Sequence, residues 1–358
     1  MSLERLCGGL IVGGFAGPEL TESFAKALSR GALGGAILFK RNLSHDFFDV
    51  AELTRKIISL GEMPPVVAID QEGGRVARLK SPFVTVPPLR KLAETNHHAL
   101  VDMAARAQAV ELKALGFSTG FSPVLDVNTN PKNPIIGDRS FGEAPEVVSR
   151  LGVRYLFELQ RNGVFACAKH YPGHGDTALD SHLDLPVVEH DAEHLERIEL
   201  APFAAAATAG VAVMMSAHVV YPALDPKNPA TLSHVICTDY LRKRLKFSGV
   251  LFSDDLEMKA VAARLTIEES ATGAIAAGCD ALLICSDEAL QERALAALVK
   301  RAESESVFRD RCAEASARMM KLRQTYAPSP LPAAALRTFF PSAEAKAFSA
   351  ALAERGVA

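Results

Sequence analysis

Gly249-Val250-Leu251-Phe252-Ser253-Asp254-Asp255 is a short apolar run that ends abruptly on two carboxylates. A run this short, without polar alternation, suits a strand buried on both faces, and the carboxylates then stand at its C-terminal end. Working outward, comparable runs occupy residues 10–15, 35–39, 65–70, 118–126, 164–170, 211–219 and 281–285. Between them lie stretches with helical periodicity at 19–29, 47–60, 100–115, 145–161, 192–207, 235–245, 267–277 and 288–301. Strict alternation of strand and helix predicts a parallel sheet. The expected fold class is therefore α/β, a single (βα)8 TIM-type barrel. A doubly wound open sheet is the competing architecture. Polar residues follow many different strands here, whereas an open sheet gathers them at one switch point, which favours the closed barrel.

The chain of 358 residues is 49% hydrophobic and 23% charged with a formal net charge of −3, values that place it among globular enzymes. No Lys/Arg run or basic stripe is present, which argues against nucleic acid as a partner. No segment has the uncharged apolar length that spans a membrane. At the start, Glu4 offsets Arg5, so residues 1–15 lack the positive n-region of a signal peptide and read as a first strand with its turn. Six scattered cysteines without a CxxC pair read as reduced thiols of a cytoplasmic protein. The Pro-rich loops at 64–65 and 81–88 separate no compositional regimes. The expected organisation is one catalytic barrel over residues 1–325 and a C-terminal appendage over 326–358, in a monomer.

Polar side chains gather where five strands end. The relevant stretches are Asp70-Gln-Glu-Gly-Gly-Arg75-Val-Ala-Arg78, Asp126-Val-Asn128 running on to Asp138-Arg139, Lys169-His170-Tyr171-Pro-Gly173-His174-Gly175-Asp176 running on to Asp180-Ser-His182, Ser216-Ala-His218, and Ser253-Asp254-Asp255. Each has a plainer reading alone: Asp70 or Asp126 as a helix cap, Arg78 and Arg139 as surface ion-pair partners, His218 as a hydrogen-bonded core histidine. A buried charge left unpaired costs several kcal/mol, so several such ends converging on one face point to a polar pocket.

Three chemistries suit that pocket. A metal held by His170, His174 and His182 has no compact ligand spacing behind it. A Schiff base on Lys169 leaves the aspartates without a task. Glycoside hydrolysis, with Asp254 as carboxylate nucleophile and a separate acid/base, employs every cluster.

The run from Lys169 to Asp176, followed by Asp180-Ser-His182, together with Asp70-Gln-Glu-Gly-Gly-Arg75 and Phe252-Ser-Asp254-Asp255, resembles glycoside hydrolase family 3, in particular its bacterial β-N-acetylglucosaminidases of peptidoglycan recycling. The resemblance spans roughly residues 8–285. It implies that Asp254 is the nucleophile and Asp255 structural. It further implies that His182 is the acid/base, oriented by Asp180, and that Asp70, Arg78, Arg139, Lys169 and His170 bind the terminal sugar. His174 receives no catalytic task and is expected to order its loop.

Physical chemistry gives these roles reasons. An aspartate at a rigid strand end is positioned for attack, and neighbouring donors keep it ionised. A histidine titrates near neutrality and can protonate a leaving oxygen, then deprotonate water. Too little chain follows the eighth strand for a second domain, so the acid is expected from the loop carrying His182. Tryptophan is absent, leaving Tyr171, Phe141 or Phe121 as candidates for stacking on a sugar. The expected activity is that of a retaining exo-β-N-acetylglucosaminidase releasing terminal N-acetylglucosamine from anhydromuramyl peptide fragments, needing no metal or organic cofactor. A β-glucosidase or β-xylosidase of the same family, and a catalytically silent sugar-binding homologue, are the alternatives.

Overall fold

A computed structural model describes residues 1–44, 46–177 and 185–356. Its central sheet has seven strands: β1 Ile11–Gly13, β2 Gly35–Leu38, β3 Val66–Ile69, β4 Cys167–Tyr171, β5 Val213–Ser216, β6 Val250–Asp255 and β7 Ala281–Ile284. They pair in the spatial order β3-β2-β1-β7-β6-β5-β4, and every pairing is parallel. β1 to β5 and β7 are buried along their whole length, as the unbroken apolar runs require.

The edges β3 and β4 are joined by residues 118–126, which form no regular strand. Ser118 donates its N–H to Val67 O at 2.7 Å and Gln71 to Gly120 O at 2.9 Å on one side. On the other, Cys167 donates to Ser122 O at 2.8 Å and Leu125 to Lys169 O at 2.7 Å. The ring thus closes as the expected TIM-type barrel, with one departure in its fourth position. The reason is local: Phe121 sits at φ +41°, and Pro123 has no N–H to give to a ladder. Sequential strands run in one direction around the ring, which rules out the open doubly wound sheet.

Helices Phe47–Leu60, Pro145–Arg161 and Ile267–Ala277 coincide with the periodic stretches that predict them. The stretch at 192–207 does not form one helix. It breaks into Ala192–Arg197 and Ala201–Thr208, because Pro202 would oppose the carbonyl of Ile198 and carries no N–H. Glu199 lies in the break and is wholly buried. Under the barrel, buried Asp280 ties three helical arginines together, accepting from Arg242 at 2.5 Å, Arg311 at 2.5 Å and Arg318 at 3.0 Å. Helix Ala343–Ala353 lies on helix His98–Ala114. Glu111 of the latter accepts the N–H of Ser342 at 2.8 Å, and Phe348 is fully buried. No helix among the described residues is long and apolar enough to cross a membrane.

Candidate active site

A cavity of about 240 Å³ opens at the C-terminal ends of the strands, lined by Asp70, Glu72, Arg78, Arg139, Lys169, His170, His174, Asp254 and Asp255 among others. All six predicted site residues that are described, namely Asp70, Arg78, Arg139, Lys169, His170 and Asp254, are therefore brought to one place. Asp180 and His182 lie outside the described residues.

Asp254 is the penultimate residue of β6, and its Oδ1 accepts the N–H of Asp255 at 2.8 Å. Burial pushes its carboxyl up, but His170, His218, that N–H and Lys169 together outweigh the desolvation, so it lies below its ordinary value and stays ionised. Asp255 has the opposite fate. Its carboxylate accepts the N–H groups of Glu257 at 3.1 Å and Cys285 at 3.3 Å, yet burial and the charges of Glu257 and Asp254 push it up to about 7. Burial thus meets opposite outcomes in two adjacent carboxyls, one drawn below its ordinary value and the other pushed up toward neutrality. His218, fully buried after β5, has its Nε2 3.0 Å from Asp255 O and its Nδ1 2.8 Å from Thr231 Oγ1, so it braces the end of β6 from the neighbouring strand.

Opposite Asp254 stands an ion-pair cluster that the sequence reading left unassigned at its centre. Glu72, only 2% exposed, binds Arg139 through two parallel bonds of 2.8 Å and Lys169 Nζ at 2.6 Å. Lys169 also reaches Asp70 Oδ1 at 3.2 Å, and Asp70 Oδ2 pairs with Arg78 at 3.6 Å. Burial alone would lower the Lys169 ammonium, but Glu72 and Asp70 raise it above its ordinary value. A lysine held protonated between two carboxylates is unsuited to form a Schiff base, so that chemistry is removed. Burial likewise raises Glu72, and the charges of Arg139 and Lys169 reverse this and hold it far below the usual carboxylate range. The paired glycines shape this wall: Gly73 at φ +113° and Gly74 at φ +53° turn the antiparallel hairpin of Gln71–Gly73 and Val76–Ala77 over the cavity, a conformation that side-chain-bearing residues rarely adopt.

His170 is oriented from below by Asp126, which is fully buried. Its Nδ1 lies 2.7 Å from Asp126 Oδ2, while Asp126 Oδ1 accepts the main-chain N–H groups of His170 at 3.0 Å and His174 at 2.7 Å. An ionised carboxylate only accepts, so Nδ1 carries the proton and Nε2 is turned to the cavity. Desolvation would raise Asp126, and the His170 ring draws it below its ordinary value. His174 is pushed down to about 4, by burial first and His170 second, and its Nδ1 meets Thr177 Oγ1 at 2.7 Å. It is an uncharged loop-ordering group. The metal considered from sequence also draws on His182, which lies outside the described residues.

Of the aromatic candidates for stacking, only Phe121 lines the cavity. Tyr171 is fully buried, donates its hydroxyl to Ile236 O at 3.0 Å and packs on Phe203; Phe141 packs on Tyr155. Both expectations are corrected: Tyr171 has the strand parity of cavity-lining Lys169, but the register shifts between the two, and its ring packs in the helical layer instead.

A sequence profile of the Glycosyl hydrolase family 3 N terminal domain matches residues 7–322. The beta-hexosaminidase of Chromobacterium violaceum is 40% identical over 304 residues, covering 83% of this chain and 84% of its own length. That of Nitrosomonas eutropha is 39% identical over 278 residues, 76% of this chain and 79% of its own. Among solved structures, a glycoside hydrolase family 3 beta-N-acetylglucosaminidase from Paenibacillus sp. str. FPU-7 superposes with a TM-score of 0.94 at 37% identity, covering 99% of this chain and 69% of that one. NagZ from Neisseria gonorrhoeae, solved with N-trifluoroacetyl-D-glucosamine, superposes at 0.80 and 31% identity, covering 98% of each chain.

Proposed function

The chain belongs to glycosyl hydrolase family 3 and is a glycosidase, and on that footing we propose that it is a retaining exo-β-N-acetylglucosaminidase that uses Asp254 as its nucleophile. The observation that carries this reading is the placing of Asp254, held ionised near a rigid strand end, across a small cavity from a girdle of polar groups. The size and polarity of that girdle fit a single terminal sugar. Asp70, Arg78 and Lys169 offer donors and acceptors to its hydroxyls. His170 presents Nε2, and Arg139 fixes Glu72 and through it Lys169. The acetamido preference follows the relatives, whose names are those of hexosaminidases.

In the first step, Asp254 attacks the anomeric carbon, the bond to the leaving oxygen breaks, and that oxygen takes a proton from His182, which Asp180 orients. In the second, water attacks the same carbon, gives its proton to His182, and the bond to Asp254 breaks with net retention of configuration. The family motif supports the assignment of Asp180 and His182. The natural substrate class is N-acetylglucosaminyl-anhydromuramyl peptides of cell-wall recycling in the cytoplasm. The six buried free cysteines agree with a reducing compartment.

The test is turnover of 4-nitrophenyl N-acetyl-β-glucosaminide. Asp254→Asn should abolish it, and turnover equal to the unsubstituted enzyme would end the proposal. Preference for the corresponding glucoside would move the substrate assignment to β-glucosidase. His182→Ala should harm substrates with poor leaving groups more than activated aryl glycosides; equal losses on both would remove His182 as proton donor.

A further inference from the structure

Behind the Pro-Gly-His-Gly turn, away from the cavity, lies a second group of titratable side chains that the hydrolytic reading leaves unused. His190 and His194 stand four residues apart at the start of helix Ala192–Arg197, and Glu199 sits in the helix break that Pro202 imposes. One ligand-type atom from each of the three lies within 4.8 Å of the others. His194 Nε2 and Glu199 Oε1 are 3.7 Å apart, and the two imidazoles stack at 3.8 Å. Asp176 Oδ2 lies 2.7 Å from His190 Nε2 and fixes that ring from the other side. None of these four residues lines the cavity that holds Asp254.

What makes the group more than a cluster is Glu199. It is 0% exposed, and neither of its carboxylate oxygens accepts a hydrogen bond; His194 Nε2 is likewise buried without one. Three unsatisfied polar atoms facing one another in the interior each carry a desolvation cost that neighbouring protein groups normally relieve. Among the described residues no protein donor reaches them, and Gly173, whose Cβ would stand 2.7 Å from Glu199 Cβ, leaves no room for a side chain there. A cation between them relieves all three at once.

We propose that His190, His194 and Glu199 form a binding site for a divalent transition metal of the zinc type. Two imidazoles and one carboxylate, with the histidines at an HxxxH spacing, are a ligand set for zinc, whereas calcium and magnesium take oxygen ligands throughout. Tetrahedral zinc with ligands at about 2.0–2.1 Å needs its donor atoms roughly 3.3 Å apart, so the His194–Glu199 pair at 3.7 Å closes slightly, while the stacked imidazoles swing apart to aim both lone pairs at the ion. Asp176 supplies the carboxylate that orients a metal-bound histidine. With Glu199 it also contributes two negative charges, which balance the ion. The metal so held is structural: it pins the end of the Gly-His-Gly-Asp176 stretch to the helix pair 192–208.

The experiment is zinc binding to the full chain after treatment with a chelator, by equilibrium dialysis and metal analysis, with cobalt(II) as a spectroscopic stand-in. The expected result is about one zinc per chain, a visible cobalt band, and a melting temperature that rises with added zinc. Glu199→Gln and His194→Asn should each lose the bound ion and the zinc-dependent rise; His194 is 31% exposed, so its variant should fold even if that of buried Glu199 does not. Asp176→Asn should weaken binding about 10- to 100-fold. Asp254→Asn should keep the zinc. The proposal is overturned if the unsubstituted chain takes up no stoichiometric zinc, if His194→Asn retains it, or if Asp254→Asn loses it, which would place the ion in the catalytic cavity. Because the readouts are metal content and melting, the result is independent of whether the glycosidase assignment stands.

Discussion

Replacing Asp126 with asparagine isolates one hydrogen bond beneath the cavity. In the native protein Oδ1 accepts two main-chain N–H groups, from His170 at 3.0 Å and His174 at 2.7 Å, and Oδ2 accepts the Nδ1 proton of His170 at 2.7 Å. The asparagine oxygen must stay with the two amides, since turning it away would orphan both. Its NH2 therefore faces His170 Nδ1, which has to become an acceptor, so the ring proton moves to Nε2 and what His170 presents to the cavity is inverted. A charge-assisted hydrogen bond contributes about 1.5–3 kcal/mol. If about 2 kcal/mol of this is expressed at the transition state, kcat/KM falls roughly 30-fold. Stability should fall by no more than that bond's about 1.5–3 kcal/mol, because the shape and both amide bonds remain. Asp126→Ala is the contrasting variant: it orphans two buried N–H groups at about 1–3 kcal/mol each and should lower the melting temperature as well. The assay is kcat/KM on 4-nitrophenyl N-acetyl-β-glucosaminide, alongside thermal melts and an NMR determination of the His170 tautomer. An Asn variant with kcat/KM within about two-fold of native, or one whose Nδ1 remains protonated, would refute the reasoning.

Glu72→Gln should destabilise the protein near the low end of the roughly 3–5 kcal/mol seen when one partner of a buried ion pair is removed, because Lys169 keeps Asp70 and Arg139 keeps Ile135 O. It should also raise KM as Lys169 loses its fixed position; an unchanged melting temperature and KM would contradict the cluster's role. Asp255 binds its proton more tightly in the folded chain, at about 7 against an ordinary 3.8, so it contributes stability that is present at pH 4 and lost as pH rises through 7. The melting-temperature difference between Asp255→Asn and native should therefore favour the variant more at pH 8 than at pH 5, and a pH-independent difference would count against it. Gly175→Ala places a Cβ 1.7 Å from Val127 O, a backbone atom that cannot yield, so melting temperature and activity should both drop sharply; native-like values in that variant would show that the turn is not packed this way.

The catalytic candidates were legible to different depths. Asp254 and Lys169 stand at the ends of apolar runs, a local pattern, and the structure brings both to one cavity. Glu72 carries no such local signal, because its partners Arg139 and Lys169 are far away along the chain and only ring closure makes them neighbours. Glu199 left no signal at all, since periodicity over 192–207 conceals the break that Pro202 introduces. A proline at the first turn of a second helix has the same residue type as one that merely kinks a single helix.

The sequence by itself determined the alternation of buried strands and amphipathic helices, hence a parallel barrel with polar residues at one mouth, because strand burial and helix periodicity are encoded within a few residues of one another. Tertiary structure alone decided which aromatic side chain faces the cavity, how residues 118–126 close the ring without a regular strand, and which carboxyls keep their protons. Asp254 and Asp255 are chemically identical neighbours. The surroundings that draw one down and push the other up include His170, His218, Lys169 and Glu257, groups that folding assembles around the end of β6.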